Sequence, residues 1–174
     1  MAPRFLLIID VQKGFINEWT RHIPAKVERL QDDFERLWVT RFFNPEGSLH
    51  RRLVGWGRFA PGSDDTRLAF TPRAGAPVVD KSTYTCVTGD LLAALEGDGV
   101  ATVHLAGIAT DNCVLKSAVD LFEAGIEPVV LADHCASHGG PDCHEAGLKL
   151  LRRFIGEGQV VEYSATGDTP PDGP

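Results

Sequence analysis

No stretch of this 174-residue sequence approaches the roughly 20 consecutive apolar residues that a membrane-spanning helix needs, which removes a membrane from its partners. Basic charge is scarce. Seventeen Lys and Arg stand against 24 Asp and Glu, leaving a net charge of −7 with the two signs interspersed. Without a basic stripe, neither nucleic acid nor an anionic membrane surface is attracted. Cysteine is sparse as well: four residues in a chain of this length do not make a disulfide framework. The first apolar run begins at Phe5 and reads as a strand, so no signal peptide is expected. Reduced thiols and a cytoplasmic address are therefore expected. No internal repeat is visible, and a chain that is 43% hydrophobic at this length suits one substantial core rather than two.

What is present is an alternation of strand and helix patterns. Arg4-Phe5-Leu6-Leu7-Ile8-Ile9-Asp10 reads as a buried strand ending in a carboxylate. A polar loop then leads to Pro24, which opens a short helix reaching about Asp33 with Val27 and Leu30 inward. Arg36 to Phe43 is a second strand. The turn Asn44-Pro45-Glu46-Gly47-Ser48 follows, and Ser48 caps a helix carrying Leu49, Leu53 and Val54. Gly55 to Pro77 is a long Gly- and Pro-rich connection holding Trp56 and Phe59, of the kind used as lids or oligomer contacts. Ala76 to Lys81 is a third apolar run. Thr88 caps a helix bearing Leu91, Leu92 and Leu95 that stops near Gly97-Asp98-Gly99. Strands over Thr102–Ile108, Pro128–Asp133 and Val160–Tyr163 alternate with helices presenting Val114, Ala118, Leu121 and Phe122, then Ala146, Leu150, Leu151 and Phe154. The pattern predicts an α/β fold. It has three layers, α/β/α, around a mainly parallel, Rossmann-like six-stranded sheet. One domain spans residues 1–163, and the tail from 164 to 174, rich in Gly, Pro and Asp, is expected to be loose.

Three residues stand where chemistry is expected. Open parallel sheets bind ligands beyond the carboxyl ends of their strands. Asp10 and Cys113 fall at such ends, and Lys81 closes a third apolar run. Cys113 sits where a strand turns into a helix, so unpaired N–H groups and the helix dipole would favour its thiolate. Each residue also has a plainer explanation: a small buried Cys, a helix-capping Asp, a solvated Lys.

The segments Leu7-Ile8-Ile9-Asp10-Val11-Gln12-Lys13-Gly14-Phe15, Lys81-Ser82-Thr83-Tyr84 and Gly107-Ile108-Ala109-Thr110-Asp111-Asn112-Cys113-Val114 resemble the signature blocks of the isochorismatase-like cysteine hydrolases. Nicotinamidases, N-carbamoylsarcosine amidase and ureido hydrolases are in that superfamily. The resemblance runs from about residue 4 to about residue 163, and its third block is the most specific. It implies a catalytic triad of Asp10, Lys81 and Cys113, a cis peptide between Ile108 and Ala109, and an oxyanion hole from the N–H groups of Ala109 and Cys113. The activity implied is hydrolysis of a small amide or carbamoyl C–N bond through a thioester, by a homodimer or homotetramer. An isochorismatase-type vinyl-ether hydrolase, or an inactive ligand-binding or redox-responsive member, is the alternative.

No cofactor is expected. His134, Cys135, His138, Cys143 and His144 fall within eleven residues, but their spacing matches no standard zinc site and reads as a polar loop and helix start. Cys135 could also line the site's edge. Nicotinamidases of this family hold a metal through an Asp-x-His segment after the second strand. Thr40-Arg41-Phe42-Phe43-Asn44 has no such pair, and His50 is the only His between Val39 and Lys81. A metal-independent enzyme is therefore favoured. Phe15, Trp19, Phe42 and Tyr84 are the expected substrate-binding walls, with Trp56 able to close the pocket and Arg41 able to hold a carboxylate.

Overall fold

The computed structural model describes residues 2–163; the tail expected to be loose, 164–174, lies outside them. Six strands form one sheet: β1 (Phe5–Ile9), β2 (Arg36–Phe42), β3 (Val78–Lys81), β4 (Thr102–Ile108), β5 (Glu127–Ala136) and β6 (Val160–Val161). Their order is β3-β2-β1-β4-β5-β6 and every pairing is parallel. The order reverses at β1, so the crevice beyond β1 and β4 is the position where such sheets place ligands. Among the described residues five α-helices accompany the sheet: α1 (Ile23–Leu30), α2 (Leu49–Arg52), α3 (Gly89–Gly97), α4 (Leu115–Glu123) and α5 (Pro141–Ile155).

Strand β1 is buried along its whole length because both faces are covered. Leu7 and Ile9 join Leu91 and Leu95 of α3, Leu121 of α4 and Leu151 of α5 in one core. Leu6 and Ile8 point the other way, into a second core with Val27 and Leu30 of α1, Phe34 and Phe59. The period-two alternation of a strand thus divides one apolar run between two layers. Ser48 and Thr88 cap α2 and α3, their hydroxyls accepting from the Arg51 and Leu91 N–H groups at 3.2 and 3.3 Å. Not every apolar residue assigned to a helix interior is inside: Phe122, Leu150 and Phe154 are exposed, as are Leu49, Leu53 and Val54.

Strand β5 is longer than its apolar run suggests. The β4–β5 register shifts between Leu105 and Gly107, where Leu105 opposes Val130 but Gly107 opposes Cys135. The strand therefore continues through His134 and Cys135 to Ala136, residues that read in sequence as the start of a loop. Gly107 is required at this irregularity. Its φ is +131°, and a Cβ there would meet the Ile9 carbonyl oxygen at 2.1 Å. That oxygen belongs to the residue before Asp10, so the close approach of β4 to β1 sits directly beneath the strand ends.

Replacing Gly107 by Ala is expected to cost about 2–4 kcal/mol of unfolding free energy, since backbone must move and φ is unsuited to a side chain. Gly97→Ala, whose Cβ would meet nothing, is the control and is expected to change stability by less than about 0.5 kcal/mol. Urea titration of both variants measures the difference.

Candidate active site

Asp10 follows β1, Lys81 ends β3, and Cys113 lies in a wide π-helical turn, Thr110–Val114, between β4 and α4. Such turns are uncommon and concentrate at functional sites. The structure brings all three residues to one place. The Lys81 Nζ is 2.6 Å from Asp10 Oδ2 and 3.6 Å from Cys113 Sγ, and both partners are buried. It also donates to the Thr83 and Tyr84 carbonyls at 2.8 and 3.3 Å. The ammonium is therefore saturated by oxygens and one sulfur. Burial alone would push Lys81 down, but Asp10, Cys113 and Cys86 outweigh it and hold the amine above its ordinary range.

The thiol behaves oppositely. Burial pushes Cys113 well above the ordinary cysteine range; Asp10 adds to the rise and Lys81 opposes it. The helix-start setting expected to favour a thiolate is overridden by desolvation, so the resting side chain is a neutral thiol beside a carboxylate.

Thr40 supplies what the sequence did not reveal. It lies on β2, between the strands bearing Asp10 and Lys81, and its hydroxyl donates to Asp10 Oδ1 at 2.8 Å. Cys86, whose Sγ is 3.5 Å from the same hydroxyl, is a second buried thiol, pushed up to about 11 mainly by burial. Its N–H donates to Ser117 of α4 at 2.9 Å. A Thr inside a strand carries no motif, so only the strand order exposes its role.

Beyond Cys113 lies a cavity of about 150 Å³. Ala109, Asn112 and Cys113 form its base, and the Ile108–Ala109 peptide beside them is cis. Phe15, Phe42 and Tyr84 are among its walls, with Trp56, His50 and His138. Phe15 stacks on Phe59 at 4.1 Å between ring centroids. The long connection thus delivers a wall: Asn44 donates to the Trp56 and Arg58 carbonyls at 2.6 and 2.9 Å, and Gln12 bonds to Phe42 and Thr66. Both polar side chains are completely buried and exist to satisfy loop backbone.

Trp19 does not line the cavity. Asn17 Oδ1 accepts from the Trp19 N–H at 3.0 Å, closing a turn that carries the indole to the surface over Gly140, where it remains 43% exposed. Arg41 is also turned away, paired through both arms with Asp80 at 2.8 and 3.1 Å. The His/Cys cluster disperses. His134 contacts Asp133, Cys135 is core rather than site edge, His138 walls the cavity, and His144 Nδ1 lies 2.8 Å from the buried Thr110 hydroxyl, bracing the Cys113 turn. Among the described residues no group of three or more His, Cys, Asp or Glu is disposed to hold a metal.

The isochorismatase domain model matches residues 4–161. The chain belongs to the isochorismatase family. A maleamate amidohydrolase of Pseudomonas putida is 37% identical over 81 residues, which are 46% of this chain and 38% of that protein. The match thus spans well under half of that relative's length. An isochorismatase-like hydrolase from Alkaliphilus metalliredigens has the same fold, with a TM-score of 0.80 at 21% identity, covering 92% of this chain and 95% of the other. The pyrazinamidase of Pyrococcus horikoshii in complex with zinc superposes with a TM-score of 0.78 at 24% identity, covering 92% and 99%. A metal does not fit this family member at the end of β2. Phe42 and Asn44 occupy that segment, the Asn44 amide is spent on loop carbonyls, and His50 stands without another ligand beside it.

Iodoacetamide labelling of Cys113 is expected to rise steadily between about pH 7 and 9 without reaching a plateau, because the thiol is protonated at rest. Asp10→Asn removes a negative neighbour, lowers the thiol pKa and speeds labelling at fixed pH. Lys81→Met removes the opposing positive neighbour and slows it. Peptide mapping across the pH series reads both.

Proposed function

We propose that this chain is a cysteine-dependent hydrolase of a small amide or carbamoyl C–N bond, working through a thioester and without a metal. The observation that carries the reading is the buried triad of Asp10, Lys81 and Cys113 at the floor of an apolar cavity. The amidohydrolase named among its relatives supports the bond type.

Asp10 takes the thiol proton as the sulfur attacks the carbonyl carbon. A neutral resting thiol suits this order, since the proton leaves only when a substrate is there to be attacked. Lys81 remains an ammonium throughout. It keeps Asp10 in place and offsets the negative charge that passes from carboxylate to sulfur and then to the carbonyl oxygen. The oxyanion is assigned to the N–H groups of Ala109 and Cys113, donors of a kind worth about 2.7–4 kcal/mol each. Protonated Asp10 returns its proton to the departing nitrogen, releasing ammonia or an amine and leaving the acyl group on sulfur. Water, deprotonated by the same carboxylate, then cleaves the thioester. Thr40 holds the carboxylate in the rotamer that faces the sulfur.

The cellular setting is read from the same features. Four free cysteines fit a reducing cytoplasm, and no helix among the described residues is long and apolar enough to cross a membrane. Exposed Phe122 on α4, with Leu150 and Phe154 on α5, supports a homodimer or homotetramer.

With a small amide that the native chain turns over, Cys113→Ala and Asp10→Asn are each expected to lower kcat by at least about a thousandfold. Thr40→Val removes one hydrogen bond to a charged group and is expected to lower kcat by about 10- to 100-fold with the fold intact. Dialysis against a chelator leaves the rate unchanged. Full activity of Cys113→Ala, or its loss on chelation, would remove the proposal.

A further inference from the structure

At the end of the sheet opposite Cys113, a cleft of about 340 Å³ opens where the starts of β1 and β2 meet the carboxyl end of α3. Small-molecule sites begin at about 300 Å³, so its size is that of a ligand site rather than a packing defect. Trp38 and Ala94 give it an apolar side, and the turn that leads into β3 borders it. Four charged side chains line it: Glu35, Arg36, Arg73 and Asp98. Two of them settle each other. Arg36 donates to Asp98 through both arms, at 2.9 and 3.4 Å.

The other two do not, although they are neighbours. Arg73 is fastened to backbone: Nη1 donates to the Gln31 and Phe34 carbonyls, each at 2.8 Å, and Nη2 to the carbonyl of Glu35 itself at 3.2 Å. The guanidinium thus rests on the main chain of the residue whose carboxylate would neutralise it. That carboxylate is drawn elsewhere, its Oε2 accepting from the Arg4 N–H at 2.7 Å. Neither side chain joins an ion pair among the described residues. Carbonyls and an N–H offer partial charges only. The cleft therefore keeps one full positive and one full negative charge, half-buried at Arg73 and exposed at Glu35. Each still has bonding capacity, because Arg73 Nε and Glu35 Oε1 have no partner among the described residues.

Opposite charges lined side by side without pairing select a ligand by its own charges. A molecule that brings an anion to Arg73 and a cation to Glu35 gains two charge-assisted hydrogen bonds. A molecule with one charge gains one of them and meets repulsion from the other side chain. We propose that this cleft is a second small-molecule site, one that binds a zwitterion with an apolar body, the pattern of an α-amino acid with an apolar side chain. Its carboxylate bonds Arg73, its ammonium bonds Glu35, and its side chain lies against Trp38 and Ala94. The Arg36–Asp98 pair, already satisfied, forms a rim. The assignment is independent of the hydrolase reading, since no part of the Asp10, Lys81 and Cys113 cluster belongs to the cleft.

Calorimetry on the native chain compares L-phenylalanine with 3-phenylpropionate, which lacks the ammonium, and with phenethylamine, which lacks the carboxylate. Phenylalanine is expected to bind at least about tenfold more tightly than either. Glu35→Gln keeps an oxygen for the Arg4 N–H and is expected to erase the advantage over 3-phenylpropionate. Arg73→Gln is expected to erase the advantage over phenethylamine. If that variant does not fold, Ala94→Leu, which fills the apolar side and leaves all four charges in place, is expected to weaken phenylalanine by at least about tenfold. Alkylating Cys113 to completion is expected to leave phenylalanine binding unchanged. No binding of phenylalanine, binding no tighter than that of both singly charged analogues, or binding unaltered in Glu35→Gln and Ala94→Leu overturns the proposal. Loss of binding on alkylation overturns it too, because it places the ligand in the cavity beside Cys113.

Discussion

A buried ion pair sets the terms for everything around it. Asp10 and Lys81 meet at 2.6 Å where almost no surface of either is open to solvent. Desolvating two charges is expensive, and their attraction offsets the cost only when the remaining bonding positions are filled. The chain fills them with Thr40 on one carboxylate oxygen and the Thr83 and Tyr84 carbonyls on the ammonium. Removing one member would leave the other as an uncompensated buried charge, typically a loss of about 3–5 kcal/mol. The catalytic role proposed for these residues and their structural role therefore fall on the same side chains, with Cys113 Sγ 3.6 Å from the ammonium.

The fold's tight contacts converge on the same place. Gly107 lets β4 approach Ile9 just below Asp10, and Gly147 does the corresponding work from α5. A Cβ at Gly147 would meet the Asp111 backbone nitrogen at 2.8 Å, so the helix packs directly on the turn that carries Cys113. His144, one turn earlier in α5, fixes Thr110 of that turn. Backbone-to-backbone packing of this kind leaves little room for displacement, which suits a site whose geometry must be set to a fraction of an ångström.

Two cysteines near the same ion pair show how small differences in position separate roles. Cys86 and Cys113 are both fully buried thiols raised chiefly by desolvation. Only Cys113 faces the cavity. Cys86 packs in the core beneath, against the Thr40 hydroxyl, where it completes the support of Asp10. A larger cleft, of about 340 Å³, opens at the amino ends of the strands beside Arg36, Trp38 and Pro77. It is remote from the strand ends where Asp10, Lys81 and Cys113 meet.

Much of this was readable from one dimension. The apolar run Phe5–Ile9 and the mostly apolar Thr102–Ile108, broken only by His104 after its first residue pair, point to a sheet covered on both faces, and the alternation with helices points to parallel strands. The rule that ligands gather beyond strand ends singled out Asp10, Lys81 and Cys113, and short-range capping chemistry placed α2 and α3. Those are local properties, fixed by hydrophobic period and by the first polar residue after each run. Contacts between distant segments were not readable. The strand order put Thr40 between Asp10 and Lys81. The register shift beside Gly107 drew His134 and Cys135 into β5 and left His138 facing the cavity. A turn held by Asn17 sent Trp19 outward, although its sequence position next to Phe15 pointed inward. The sequence alone determined which residues could do chemistry, because that depends on side-chain type and strand ends. Only the tertiary structure decided which of them meet and in what charge state, because desolvation and neighbouring charges arise from packing between segments far apart in the chain.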